Sequence, residues 1–136
     1  DFIVEFKPII ANIIEPSILI RINQRFKYGM TAQALYEATR GMWIIGKRRI
    51  KAKFAMPVYA GVIREVYRIE SWHQAGTTLY ETRAIAVSEK AMRRWEFLGS
   101  LAENNVRRHY VGYSVKHLFK TGQQNPIIGV NLEDKL

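Results

Sequence analysis

The run Ser17-Ile18-Leu19-Ile20-Arg21-Ile22 constrains this chain more than any other stretch. Its β-branched residues favour extended backbone, and Ser17–Phe26 reads as a strand. Ile18, Ile20 and Ile22 alternate with Leu19 and Arg21. Both parities are apolar at the start, which makes this a central strand. Other strands must then flank it.

Three later stretches can do so. Phe54–Tyr59 is a strand that Pro57 places at an edge or beside a bulge. Ala60-Gly61 is a tight turn, and Val62–Ile69 returns as the second arm of a hairpin. Val66, Tyr67 and Ile69 are its core candidates. Arg94–Leu98 alternates charged with large apolar residues, a half-buried strand that Gly99 ends. Ile127, Ile128 and Val130 form a closing strand. Weaker strand patterns lie at Phe2–Phe6, stopped by Pro8, and at Leu79–Val87, anchored by Tyr80 and Ile85.

Helices fall between the strands. After a turn at Tyr28-Gly29, Thr31 caps a helix running to about Arg40. Leu35, Ala38 and Met42 share one face, with Gln33, Glu37 and Arg40 largely elsewhere, and Gly41 is the stop. Ser88 can cap a short helix over 89–92. Short helical pieces are also expected within Leu101–Arg108 and from Ser114 onward, before a loop over Thr121–Pro126. Trp72 and His73 open a polar loop through Gly76, Thr77 and Thr78. The expected fold is α+β: a small, twisted, mixed or antiparallel, barrel-like sheet with short flanking helices. Its core should hold Ile18, Ile20, Leu35, Val58, Val66, Tyr67, Trp95, Phe97 and Ile127.

A length of 136 residues suits one domain, taken as 17–136, with 1–16 as a linker or packing segment. The N-terminal stretch lacks a starting Met and a basic leader, so it reads as cut from a longer chain with a domain upstream. No run approaches the ~18 apolar residues of a membrane span. The chain has no cysteine, which excludes disulfides and Cys-based zinc sites and fits a reducing, cytoplasmic compartment.

The formal net charge is +9, an excess that points to a polyanion. Part of it is concentrated just after Gly41-Met42-Trp43, at Lys47, Arg48, Arg49, Lys51 and Lys53. Cations bind phosphate and an indole stacks a base, so this is the composition of a nucleic-acid site. The plainer alternative is a core Trp beside a solvated basic loop. Arg107, Arg108, Lys116 and Lys120 offer a second set of cations. Thr77, Thr78 and Asn125 can reach a base edge, although turn roles suit all three.

Catalytic patterns are absent. No phosphate loop, HExxH helix, EF-hand or nucleophile elbow is present, and His73, His109 and His117 lie far apart. No catalytic residue, cofactor or metal is assigned. Two other classes stay open. One is a small metal-dependent nuclease using Glu65, Glu70 or Glu81. The other is a basic module that meets an acidic protein.

The order of features resembles the PUA-like β-barrel domains, and within them the YTH and EVE modules. Arg40-Gly41-Met42-Trp43 before a basic loop is similar to the first cage Trp of those modules, which follows a short helix. Phe54–Ile69 resembles their long hairpin, Arg94-Trp95-Glu96-Phe97 their W-x-F strand, and Asn125-Pro126-Ile127 the opening of their closing strand. Such domains hold a modified base in an aromatic cage and occur as readers in modification-dependent restriction and defence systems. The resemblance implies cage roles for Trp43 and Trp72. The context Ser71-Trp72-His73 departs from the family pattern. Nucleic acid is the implied partner, DNA favoured over RNA.

Overall fold

A computed structural model describes residues 8–84 and 93–132. Strand β1, Ser17–Arg21, is central as its pattern requires. It pairs in parallel with β2, Phe54–Tyr59, and antiparallel with β6, Ile127–Val130. Beyond β2 lies β4, Tyr67–Gln74, and beyond that β5, Trp95–Leu101. The short strand β3, Val62–Ile63, pairs with the distal end of β2. The order is β5-β4-β2-β1-β6, an open path through a six-stranded mixed sheet. The fold is α+β.

Alternation along the strands divides the core into two layers. Leu19, Phe54, Met56 and Val58 form one, closed by Tyr110, Val115 and Ala11. Ile18, Ile20, Ala55, Tyr67 and Phe97 form the other, covered by Leu35, Tyr36, Trp43 and Trp72. Helix α1, Ala32–Arg40, covers this second layer, and helix α2, Asn104–Tyr110, the first. Residues 8–16 are tied to the first layer's side, where Ala11 N donates to Ser114 O at 2.8 Å and Ser114 N to Ile9 O at 2.7 Å.

Most of the expected core is buried, including Ile18, Ile20, Val58, Val66, Tyr67 and Phe97. Leu35, Trp95 and Ile127 are only half-buried. The alternation at β5 does not hold at its start: Glu96, expected in solvent, is fully buried beside Phe97. Helix α1 departs similarly. Thr31 caps it, with Ala34 N donating to its Oγ1 at 3.1 Å, but Glu37 and Arg40 are buried together with Ala38.

Pro57 is not at an edge, since β2 has neighbours on both sides. On the hairpin side β2 pairs at Phe54 and Ala55 with β4, and at Val58 and Tyr59 with β3. Pro57 falls in the gap between, where residues 64–66 leave the ladder and Arg64 N donates to Pro57 O at 2.9 Å. A residue without an N–H belongs at such a break. Ala60 and Gly61 both have positive φ, 51° and 74°, the geometry of a type I′ hairpin turn.

Trp72 and His73 lie within β4, and the loop starts only at Ala75. Gly99 does not end β5 but sits inside it, beside a register shift between Ile69 and Ser71. A Cβ there would strike the Arg68 carbonyl oxygen and lie 3.1 Å from its carbon, so the bulge needs a glycine opposite. Residues 79–84 are irregular and form no strand. The expected elements at 2–6 and 89–92, and Ile85, lie outside the described residues.

Candidate nucleic-acid interface

The three tryptophans meet at one end of the sheet. On β4 and β5, Trp72 is opposite Phe97 and Gln74 opposite Trp95. Beyond the edge of β5, Trp43 forms a bridge to Trp95, with N–H···O distances of 2.9 and 2.8 Å. Directly opposed residues share a face, and so do residues two apart on one strand. Trp43, Trp95, Trp72 and Phe97 therefore share one face. Phe97 is its buried floor, and the Trp72 ring meets it edge-on at 5.5 Å between centroids.

The three indoles are held differently. Trp43 is half-buried and its Nε1 donates to Thr39 O at 2.8 Å, which ties it to the last turn of α1. Trp72 is half-buried, with a buried Nε1 that finds no hydrogen-bond partner among the described residues. Trp95 carries a guanidinium: Arg49 Cζ lies 3.6 Å from its ring centroid. Arg49 Nη1 donates to Gly46 O at 3.0 Å, and burial lowers the pKa of the guanidinium below its ordinary value.

Arg49 belongs to a 3-10 helix, Lys47–Lys51, that leads into β2 through the buried Ala52. Lys47, Arg48 and Lys51 on it, and Lys53 after it, are exposed. Five consecutive residues with four cations are thus wound into a short helix beside the tryptophan face. Thr77 is exposed in the loop after β4, and its Oγ1 donates to Gln74 O at 2.6 Å.

Other predicted contacts are not gathered here. Asn125 lies before β6, across the sheet from β4, where its Oδ1 accepts from Ile127 N at 3.0 Å. Arg107 and Arg108 belong to α2, on the opposite layer. Arg107 makes a two-pronged pair with Glu65, at 2.7 and 2.9 Å, which raises the Arg107 pKa and engages its fork. Arg108 is exposed.

Behind the tryptophan face lies a buried polar network that sequence reasoning missed. Arg40 is 2% exposed and Glu96 0%, with a closest N···O distance of 3.7 Å. Arg40 Nη1 donates to Thr78 Oγ1 at 2.6 Å, and its guanidinium stacks on Tyr80 at 3.6 Å. Glu96 accepts from Gly76 N at 2.6 Å and from Thr78 N at 3.0 Å. Glu37 accepts from Gln33 Nε2 at 2.6 Å, Thr82 N at 2.7 Å and Glu81 N at 3.0 Å. Burial works against the Glu37 charge, but these hydrogen bonds outweigh it and hold the pKa at about 2. The network fastens loop 76–83 to the end of α1 and to β5. Gly41 permits the approach: a Cβ there would strike the Tyr80 hydroxyl and lie 2.8 Å from Glu96 Cβ.

The candidate acids of a nuclease occupy separate settings. Glu65 pairs with Arg107, Glu70 accepts from Ser100 Oγ at 3.0 Å, and Glu81 donates its backbone N–H to Glu37. Among the described residues no group of three or more His, Asp or Glu side chains is placed to hold a metal ion. No helix among them is long and apolar enough to cross a membrane. No family model, curated protein or solved structure matches this chain.

Proposed function

We propose that this domain binds nucleic acid and holds an unpaired, modified base against the tryptophan face. One observation carries the reading. The only three tryptophans of the chain share one face, and a cation from the basic 3-10 helix already stacks on one of them. An indole face that takes a guanidinium also takes a base, because both are flat and weakly hydrated on their faces. Lys47, Arg48, Lys51 and Lys53 bind the flanking phosphates, with DNA preferred to RNA. Trp43 and Trp72 frame the base and Thr77 lies at the rim.

The succession of helix, Trp43, basic turn, hairpin and W-x-F strand supports placing the domain with the PUA-like readers, as a barrel-like variant of the YTH and EVE modules. In that setting it is the recognition part of a modification-dependent restriction or defence protein in the cytoplasm. Any catalysis belongs to another domain or subunit.

The test compares Trp43→Leu, Trp72→Leu and Arg48→Ala in binding to modified and unmodified single-stranded oligonucleotides. Loss of a stacking face should cost about 1–3 kcal/mol for the preferred base. The tryptophan variants should lose the preference, and Arg48→Ala should weaken both strands alike. Folded tryptophan variants that keep the preference refute the cage.

A further inference from the structure

A second aromatic cluster stands at the opposite end of β2. Phe26 and Tyr59 stack at 4.5 Å between centroids, with 25° between planes. Tyr28 stands perpendicular to both, at 5.2 and 5.7 Å. Arg64 completes the group. Its guanidinium lies 5.2 Å from Phe26, 5.6 Å from Tyr28 and 5.4 Å from Tyr59. Arg64 Nε and Nη2 both donate to Tyr59 O, at 3.2 and 2.8 Å. No carboxylate lies within 4.0 Å of this guanidinium among the described residues. Its sequence neighbour Glu65 is taken by Arg107.

Two features distinguish this corner from an ordinary satellite of the core. Tyr28 is 74% exposed, although a tyrosine with two aromatic neighbours has apolar area to hide. The two segments that build it are also basic in sequence. Segments 21–28 and 59–64 hold Arg21, Arg25, Lys27 and Arg64 and no Asp or Glu. Lys116 lies against the hairpin tip, where a Cβ on Gly61 would be 3.0 Å from its own Cβ. An open ring, a guanidinium fixed over aromatic faces and neighbouring segments with cations and no acids together suit a ligand that is both flat and anionic.

We propose that this corner is a second stacking platform for single-stranded nucleic acid, separate from the tryptophan face. One base stacks on Tyr28, and Lys27, Arg64 and Lys116 meet the phosphates beside it. An acidic peptide would use the cations but not the ring. An anionic membrane would use the charge but has no flat group to stack on the ring. The ligand class is shared with the proposed function, but the site and its residues are different.

The experiment measures binding of the full chain to four probes: a short oligothymidylate, an abasic strand of equal length, poly-glutamate and anionic phospholipid vesicles. Tyr28→Ala and Tyr28→Trp are compared with Arg64→Ala and with Trp72→Leu. Tyr28→Ala should stay folded by circular dichroism, since the side chain is exposed, and lose about 5- to 150-fold in oligothymidylate affinity. It should leave the abasic strand almost unchanged, and Tyr28→Trp should restore binding. Arg64→Ala should weaken both strands.

Three results overturn this proposal alone. One is an unchanged oligothymidylate affinity in Tyr28→Ala while Trp72→Leu weakens it, which leaves the proposed function standing. Another is equal loss for the abasic strand. The last is binding of poly-glutamate or vesicles as tight as that of the oligonucleotide. If the unaltered chain binds neither strand, both proposals fail together.

Discussion

Glu37, Arg40 and Glu96 are the residues whose chemistry is most exposed to test. Glu37 has a pKa of about 2 against an ordinary 4.5. A carboxylate whose pKa is depressed by folding stabilises the fold fully above the unfolded value, and that contribution is lost as pH falls through the folded value. The melting temperature should therefore fall between about pH 4.5 and pH 2, and Glu37→Gln should fall less steeply across the same window. Parallel acid slopes for the two proteins would contradict the assignment. Arg40 and Glu96 form a buried ion pair, so removing one partner strands the other. Arg40→Met should cost about 3–5 kcal/mol by denaturant unfolding, and the double variant Arg40→Met, Glu96→Leu should recover part of it. These burials were not legible in the sequence. Glu96 stands between Trp95 and Phe97 and reads as the solvent parity of a strand. It is inward only because loop 76–78 folds over it and supplies two backbone N–H groups. A two-residue period cannot report a covering loop.

Among elements, β1 and the hairpin were the most legible, each for a local reason. A run apolar on both parities can only be central, and Ala60-Gly61 matches the turn it makes. The bounds of β4 and β5 were not legible. Trp72 and His73 precede a Gly-Thr-Thr loop and look like part of it, yet pairing with β5 carries the strand on to Gln74. Gly99 looks like a stop because glycine is rare within strands. Its purpose is the close approach of the Arg68 carbonyl, which only the partner strand reveals. Gly99→Ala should accordingly cost about 1–3 kcal/mol of stability through overpacking, measured by thermal unfolding. A variant as stable as the parent would show that the bulge relaxes freely. The 3-10 helix Lys47–Lys51 is open to test through the salt dependence of binding. Each of Lys47→Ala and Arg48→Ala should lower the log–log salt slope for oligonucleotide binding by about 0.7 for single strands. Unchanged slopes would remove this helix from the interface.

For the whole molecule, the sheet decides which sequence clusters become sites. The run at Lys47 and the tryptophans at 43, 72 and 95 are dispersed in sequence, and the order β5-β4-β2 brings them to one end. The same order carries Asn125 away, and the alternation of layers puts Arg107 and Arg108 behind the sheet. Charge and aromatic content were readable at the outset, but their coincidence in space depends on long-range pairing. Because every tryptophan of the chain lies at the proposed site, indole emission reports on that site alone. The most direct measurement is therefore a titration of intrinsic tryptophan fluorescence with a single-stranded oligonucleotide carrying a modified base, repeated at rising salt. Saturable quenching is expected, tighter for the modified strand than for its unmodified counterpart, with an affinity that falls as salt rises. Emission that stays constant at low salt, at oligonucleotide concentrations reaching the non-specific range of about 10⁻⁴ M, would contradict nucleic-acid capture at this face.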